Sequence, residues 1–166
     1  MTGRAASLAE RFERATEDVI DFVNGLSDAQ WRAVDAAEGL SIGAMIHHLA
    51  AGDRLARSVL QALAQGADRP PHQTAVATED RERLQAQEAA EFAHLSRGET
   101  IELLRRQGAE AARSIRGLSE AELERVHTLW GESIRTREFV ERWIEDMTQH
   151  LEEIRATAGK PTRSPT

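Results

Sequence analysis

Apolar side chains return every three to four residues in four long segments of this chain, and this spacing limits its fold more than any other feature. A period of 3.6 residues places such side chains along one side of an α-helix, whereas a strand would alternate at every second residue. The longest segment covers 42–65, and the others cover 8–26, 101–115 and 139–154. The pattern predicts four amphipathic helices around one core.

The composition also favours helices over sheets. Hydrophobic residues make up 40% of the 166 residues, but Ala and Leu dominate, Tyr is absent, and only four Phe and three Trp supply rings. Ala and Leu favour helices, whereas aromatic and β-branched residues favour strands. A chain of this length suits one domain. The prediction is an all-α four-helix bundle over 1–158, followed by a loose tail over 159–166.

Serine residues with the spacing of helix caps predict where the helices begin. A serine followed three residues later by Glu or Gln is a capping box, in which both side chains bind backbone N–H groups of the first turn. Such boxes begin at Ser7, Ser27 and Ser96, and Ser41 is predicted to cap the helix over 42–65. Glycine residues predict three helix ends, at Gly25, Gly66 and Gly117.

The segments between the predicted helices have weaker patterns. Residues 67–78 contain two adjacent prolines and no periodicity, which predicts the long crossover connection that many bundles need. Residues 79–95 have a polar helical pattern, and residues 119–127 are predicted to form a short capped helix or a turn. The residues after His127 are predicted to be a loop that leads into the last helix, over 136–157.

The charge balance excludes several classes of partner. The chain has 21 basic and 28 acidic residues and a net charge of −7. This charge repels nucleic acid and anionic membrane surfaces, so neither is an expected partner. No stretch approaches the roughly 20 apolar residues of a membrane span, and charges interrupt the first thirty residues where a signal sequence would be apolar. The expected location is cytoplasmic.

Cysteine is absent from the chain. The protein therefore has no disulfide, no thiolate metal ligand and no thiol nucleophile of its own. Any thiol chemistry would have to use the thiol of a cofactor.

Two adjacent histidines, His47 and His48, lie in the longest apolar segment. The apolar stripe of that segment centres on Met45, Leu49, Ala56 and Leu63. At about 100° per residue, His47 falls roughly 180° from this centre and is predicted to face solvent. His48 falls about 80° from the centre, at a flank from which a side chain can face the inside of a bundle. The alternative for His48 is a boundary residue with a backbone or water partner.

The last predicted helix carries Asp146 and His150 on one flank. They lie about 100° and 60° from the centre of its apolar stripe, on the same side. A spacing of four residues brings the two side chains together, close enough to bind one ion. The alternative is an ordinary ion pair on the helix surface. The other histidines, His72, His94 and His127, receive no predicted role.

The run Gly39-Leu40-Ser41-Ile42-Gly43-Ala44-Met45-Ile46-His47-His48-Leu49-Ala50 resembles the second-helix signature of the DinB-like superfamily, in which a Trp-Ser-Val-Gly-like entry leads to His-Leu-Ala. By this resemblance His48 is the first metal ligand. The superfamily usually carries His-x-x-x-His on its last long helix, where this chain has Asp146 and His150. His150 matches that motif and Asp146 departs from it.

The resemblance implies a metal-binding four-helix bundle, often dimeric, of a superfamily that includes the N-terminal domain of mycothiol-dependent maleylpyruvate isomerase and related low-molecular-weight-thiol S-transferases. Two imidazoles and one carboxylate would leave open positions on a divalent ion. The sequence does not distinguish Zn²⁺, Ni²⁺, Mn²⁺ and Fe²⁺, all of which accept such ligands.

The preferred hypothesis is therefore a metal-dependent S-transferase. A metal held by His48, Asp146 and His150 would lower the pKa of a cofactor thiol, such as that of mycothiol or bacillithiol, for attack on a small electrophilic substrate. One alternative is a metal-dependent hydrolase at the same site. Another is a non-catalytic stress-response helical dimer in which Asp146 marks a degenerate site. A homodimer is expected in either case.

Overall fold

A computed structural model describes residues 3–35, 39–67, 83, 86–87, 90, 96–129 and 131–159. These residues form six helices and two strands. In chain order they are α1 (Arg4–Gly25), α2 (Asp28–Arg32), α3 (Ile42–Ala64), α4 (Arg97–Arg116), α5 (Glu120–Leu123), β1 (Val126–Leu129), β2 (Glu132–Arg135) and α6 (Thr136–Ala158). The all-α fold class is confirmed, with a single small hairpin added in the described part of the chain.

The four long helices, α1, α3, α4 and α6, form a bundle in which α1 and α3 each pack against both α4 and α6. Helix α1 runs antiparallel to α4. Near one end Arg116 donates to the carboxylate of Glu13, and near the other Arg97 donates to the carbonyl of Leu26. Such pairing of antiparallel neighbours buries the apolar stripe of both helices.

Helices α3 and α4 are parallel neighbours. His47 contacts Thr100 near the start of both helices, and Arg57 pairs with Glu110 further along both. This order agrees with the predicted long crossover connection between them. Residues 68–82 lie outside the described residues, and so does most of the polar helix predicted over 79–95, of which residues 83, 86, 87 and 90 are helical.

Helix α6 runs antiparallel to α3. The indole Nε1 of Trp143 donates to Asp53 Oδ1 at 2.8 Å in the middle of the bundle. At the end of α6, the hydroxyl of Thr157 donates to Oδ2 of Asp35, which precedes α3, at 2.7 Å. These two contacts fix the height of α3 relative to α6.

The core is centred on aromatic contacts between α1 and α6. The rings of Phe12 and Trp143 meet edge to face with centroids 4.7 Å apart, and Phe12 is fully buried. Towards the other end of the same helices, the guanidinium of Arg155 lies over the ring of Phe22. Helices α1 and α6 are therefore parallel.

None of the described helices is long and apolar enough to cross a membrane.

Most of the predicted helix caps are confirmed. The hydroxyls of Ser27, Ser41 and Ser96 each accept a hydrogen bond from a backbone N–H three residues on, at 3.1 to 3.2 Å. The cap at Ser7 is wrong, because α1 begins at Arg4 and the N–H of Ser7 donates to the carbonyl of Gly3. Ala5 is buried, so the apolar stripe extends one turn earlier and places Ser7 inside the helix.

The hairpin of β1 and β2 corrects the loop predicted after His127. The strands pair antiparallel, with His127 opposite Ile134, and Gly131 makes the turn with φ of +81°. Leu129 and Ile134 are buried against the start of α6 and the rest of the core. The sequence does not reveal these strands, because neither VHTL over 126–129 nor ESIR over 132–135 alternates apolar and polar residues.

Candidate functional site

Two of the three predicted metal ligands lie together on α6. His150 Nδ1 donates to the backbone carbonyl of Asp146 at 2.8 Å and lies 3.9 Å from its carboxylate Oδ2. Because Nδ1 makes this bond to a carbonyl, it carries the proton and Nε2 has the lone pair. The side chains are 45% and 71% exposed, so both are accessible to solvent. The predicted closeness of the two side chains on α6 is present in the structure.

The third predicted ligand, His48, lies on α3 at the same height along the bundle as this pair. Asp53 and Trp143 are in contact, and the helices are antiparallel. Five residues back from Asp53 is His48, and five residues on from Trp143 is Thr148, midway between Asp146 and His150. With the same rise of about 1.5 Å per residue in both helices, these positions are level.

His48 is exposed, and the described residues contain no group of three His, Asp or Glu side chains close enough to hold a metal ion. The chain thus brings Asp146 and His150 together and places His48 level with them on the adjacent helix. The three-ligand site stays a prediction.

The prediction that His47 faces solvent is wrong. Its side chain is buried, with 7% exposure, and Nε2 lies 2.8 Å from Thr100 Oγ1. The ring of Trp31 meets it edge to face at 5.8 Å. Helix α2 packs on α3 and covers the side that carries His47. A helical wheel of α3 alone cannot show this contact. The sequence contains one signal of this contact, a glycine inside the predicted helix. Gly43 lets Trp31 approach α3 closely, because a Cβ there would lie 2.7 Å from the Trp31 ring.

The contact between His47 and Thr100 has a defined direction. The Thr100 hydroxyl donates to the carbonyl of Ser96 at 2.9 Å, so it accepts from His47 Nε2–H. The ring therefore joins α3 to the first turn of α4. This histidine has a structural role, whereas its neighbour His48 is on the outside.

Replacing Thr100 by valine tests that role. The change keeps the side-chain shape but leaves Nε2–H of His47 buried without this acceptor, which should lower the free energy of unfolding by about 1–3 kcal/mol. Thr148→Val is the matched control, because Thr148 is exposed and its hydroxyl donates only to the carbonyl of Ile144 within its own helix. Urea denaturation should show almost no change for the control. Equal losses in both variants would contradict the structural role of His47.

Asp53 is a buried carboxyl group that the analysis of the sequence did not single out. It is 6% exposed, and burial raises its pKa from 3.8 to about 7, although the hydrogen bond from Trp143 acts in the opposite direction. A signal was available, because Asp53 lies seven residues after Ile46 and seven before Leu60, both of them core residues. A carboxyl group in such an apolar stripe is unusual and marks a functional candidate.

Polar contacts also hold both ends of α3. At its beginning, Asp35 accepts from Thr157. At its end, Arg125 Nη1 donates to the carbonyl of Leu63 at 3.3 Å and to that of Ala64 at 3.0 Å. The contacts of Arg125 satisfy carbonyl groups that have no partner within the helix, and both sets of contacts hold the position of α3 in the bundle.

Comparison with known proteins finds a family match. A family model described as the DinB superfamily matches residues 11–154, which run from α1 to the last turns of α6 and include all three predicted metal ligands. No curated protein and no solved structure matches the chain significantly.

Proposed function

Because the chain belongs to the DinB superfamily, we propose that it is a metal-dependent low-molecular-weight-thiol S-transferase with His48, Asp146 and His150 as the ligands of a divalent cation. The observation that carries the proposal is the register of α3 and α6. It places one imidazole level with a carboxylate and a second imidazole on the adjacent helix.

The hydrogen bond between His150 and Asp146 supports the proposal. A histidine that binds a metal commonly donates its other ring N–H to a backbone carbonyl or carboxylate, which fixes the ring and its tautomer. His150 Nδ1 has such a partner in the Asp146 carbonyl, which leaves Nε2 for a cation. The exposure of the pair means that a cation can bind without first being buried in the apolar core.

The residue types limit the chemistry that such a site can perform. A bound divalent cation would supply the Lewis acidity that lowers the pKa of a thiol. The chain has no cysteine, so the thiol would belong to a cofactor, with mycothiol and bacillithiol as the proposed compounds. The thiol would lose its proton to solvent, and its sulfur would form the new bond to a carbon of an electrophilic small molecule while a leaving group departs from that carbon with the electron pair of the broken bond. The part of His48, Asp146 and His150 is to hold the cation.

A second candidate is a non-catalytic helical dimer in which Asp146 marks a degenerate site. Its support is the absence of a close group of three ligands among the described residues, together with the exposure of His48. The hydrolase alternative has less support. It needs a carboxylate as a base, and the carboxylate of Glu153 already accepts from the amide of Gln149 at 3.1 Å.

Metal analysis of protein purified without a histidine tag separates the first two candidates. The S-transferase proposal predicts about one divalent ion per chain for the wild type. His48→Ala and His150→Ala should each lose most of that metal, because two remaining ligands hold it weakly. Gln149→Ala, a change of an exposed neighbour on α6, is the matched control and should keep it. Folded wild-type protein without metal would support the degenerate site.

Asp146→His gives a further test of the metal site. The substitution restores the usual His-x-x-x-His pair and should raise the affinity for Zn²⁺, because imidazole is a good zinc ligand and the i, i+4 spacing is unchanged. Isothermal titration with Zn²⁺ measures the change relative to wild type. If Asp146→Ala binds Zn²⁺ as tightly as both the wild type and Asp146→His, position 146 is not part of the site.

The thiol chemistry needs its own assay. Metal-loaded wild-type protein should conjugate mycothiol, bacillithiol or glutathione to a chromogenic electrophile, and His48→Ala should not. If the loaded protein conjugates none of the three, the transferase proposal fails while the metal site stands.

A further inference from the structure

Three buried polar side chains from three helices lie at one height in the middle of the bundle. They are Asp53 on α3, Gln107 on α4 and Trp143 on α6, and we call them the polar layer. Each is 9% exposed or less. Asp53 and Trp143 are joined directly by the hydrogen bond from the indole Nε1 to Asp53 Oδ1.

The register between α3 and α4 places Gln107 in this layer. The two contacts between these parallel helices, of His47 with Thr100 and of Arg57 with Glu110, each join residues 53 positions apart. The same offset sets Asp53 level with position 106, next to Gln107. Gln107 also lies two turns after Thr100 on one side of α4, the side that contacts α3.

One polar atom of the layer has no partner. Oε1 of Gln107 is buried and accepts no hydrogen bond from any described residue. A buried carbonyl oxygen without a donor is costly, and native proteins rarely leave one. An ionised Asp53 cannot help, since a carboxylate only accepts hydrogen bonds, whereas a neutral Asp53 has an O–H to donate.

Among the described residues, no other buried side chain at this height carries a charge. Phe12 on α1 packs against Trp143, and Thr16 on α1 lies against α4 at Gly108, next to Gln107. The pair of Arg57 and Glu110 lies about one turn further along α3 and α4, is partly exposed, and neutralises itself. The other buried titratable groups of the described chain, Asp35, His47 and His127, have their own partners.

We propose that Asp53 is protonated in the folded protein and that its O–H donates a hydrogen bond to Gln107 Oε1, which makes the polar layer a pH-sensitive lock between α3 and the helices α4 and α6. Loss of that proton leaves a carboxylate among apolar groups beside an oxygen that also needs a donor. The contacts of α3 then weaken. This proposal does not depend on the metal site or on the reaction.

The direction of the pH effect follows from proton binding. The pKa of Asp53 is raised to about 7 in the folded protein, while an unfolded chain has the ordinary value of 3.8. The folded state therefore binds more protons between these two values. The stability that this group contributes is fully present below pH 4 and falls as the pH rises to about 7.

Titration of the full chain labelled with ¹³C at the aspartate carboxyl carbons tests the proton directly. One carboxyl resonance should titrate with a midpoint near 7 and be missing in Asp53→Asn. Gln107→Met keeps the shape of the side chain and removes the acceptor, so this midpoint should fall by about one pH unit. An Asp53 resonance that titrates near pH 4 would overturn the proposal, and an unchanged midpoint in Gln107→Met would overturn the role of Gln107.

Thermal unfolding between pH 5 and pH 8 tests the effect on stability. The melting temperature of the wild type should fall across this range by several degrees more than that of Asp53→Asn. The six histidines are present in both proteins, so the difference between the two curves isolates Asp53. Parallel curves would refute the lock. Should Asp53→Asn fail to fold, the carboxyl titrations of the wild type and Gln107→Met still decide the matter.

Discussion

Replacing Trp143 by alanine should lower the free energy of unfolding by about 5 kcal/mol, which is as much as many domains of this size possess. The indole is 7% exposed, packs edge to face on Phe12 and also contacts Phe139. Its removal leaves a large cavity in the centre of the bundle. It also removes the donor to Asp53, so two costs combine. Guanidinium denaturation at a fixed pH measures the loss.

Trp143→Phe separates the two costs. Phenylalanine keeps most of the ring packing but has no N–H, so the expected loss is about 1–3 kcal/mol at pH 8. The indole hydrogen bond lowers the pKa of Asp53 because it favours the carboxylate. The loss should therefore be smaller at pH 5, where Asp53 is neutral. Equal losses at the two pH values would show that Trp143 acts through packing alone.

Replacing Gly108 by alanine should cost about 2 kcal/mol, because α1 and α4 touch at this point. A Cβ at Gly108 would lie 2.6 Å from Thr16 Cγ2 and 3.1 Å from its Oγ1. Thr16 cannot easily turn away, since its hydroxyl donates to the carbonyl of Phe12 and a β-branched side chain has few rotamers in a helix. The two helices would have to separate. Urea denaturation gives the difference.

Gly52→Ala is the matched control for that substitution. Gly52 lies within α3, is exposed, and has no atom within 4 Å of the position of a Cβ. Alanine there should raise the stability by about 0.5–1 kcal/mol, because a helix favours alanine over glycine. Thr16→Ala should recover part of the loss caused by Gly108→Ala, and a double-mutant cycle measures that coupling. Strictly additive effects would contradict the close contact.

The predictable part of the fold is the part that local chemistry determines. Ser27, Ser41 and Ser96 begin helices because each supplies an acceptor to the N–H groups of its own first turn. Ser7 has the same spacing, but the apolar stripe continues past it to Ala5, and burial outweighs one capping bond. The hairpin could not be predicted because neither of its strands alternates apolar and polar residues, and only their pairing with each other defines them.

In the candidate site, too, the sequence predicts contacts within one helix but not contacts between helices. The spacing of four residues correctly predicts that Asp146 and His150 are close together, because their contact lies within one helix. The burial of His47 was missed, since α2 and α4 cover it and no wheel of a single helix includes its neighbours. The partners of Asp53 come from other helices for the same reason. Contacts between helices therefore set the limit of what the sequence could predict.

The polar contacts at the two ends of α3 fix the height of His48 along the bundle. Asp35 is bound to the final turn of α6, and Arg125 holds the last carbonyls of α3 at the opposite end of the bundle. A slip of α3 by one turn, about 5.4 Å, would break both sets of contacts at once. The contacts at its two ends therefore fix the position of α3 along the axis of the bundle. The imidazole of His48 can therefore approach residues of α6 only by rotation about the bonds of its own side chain.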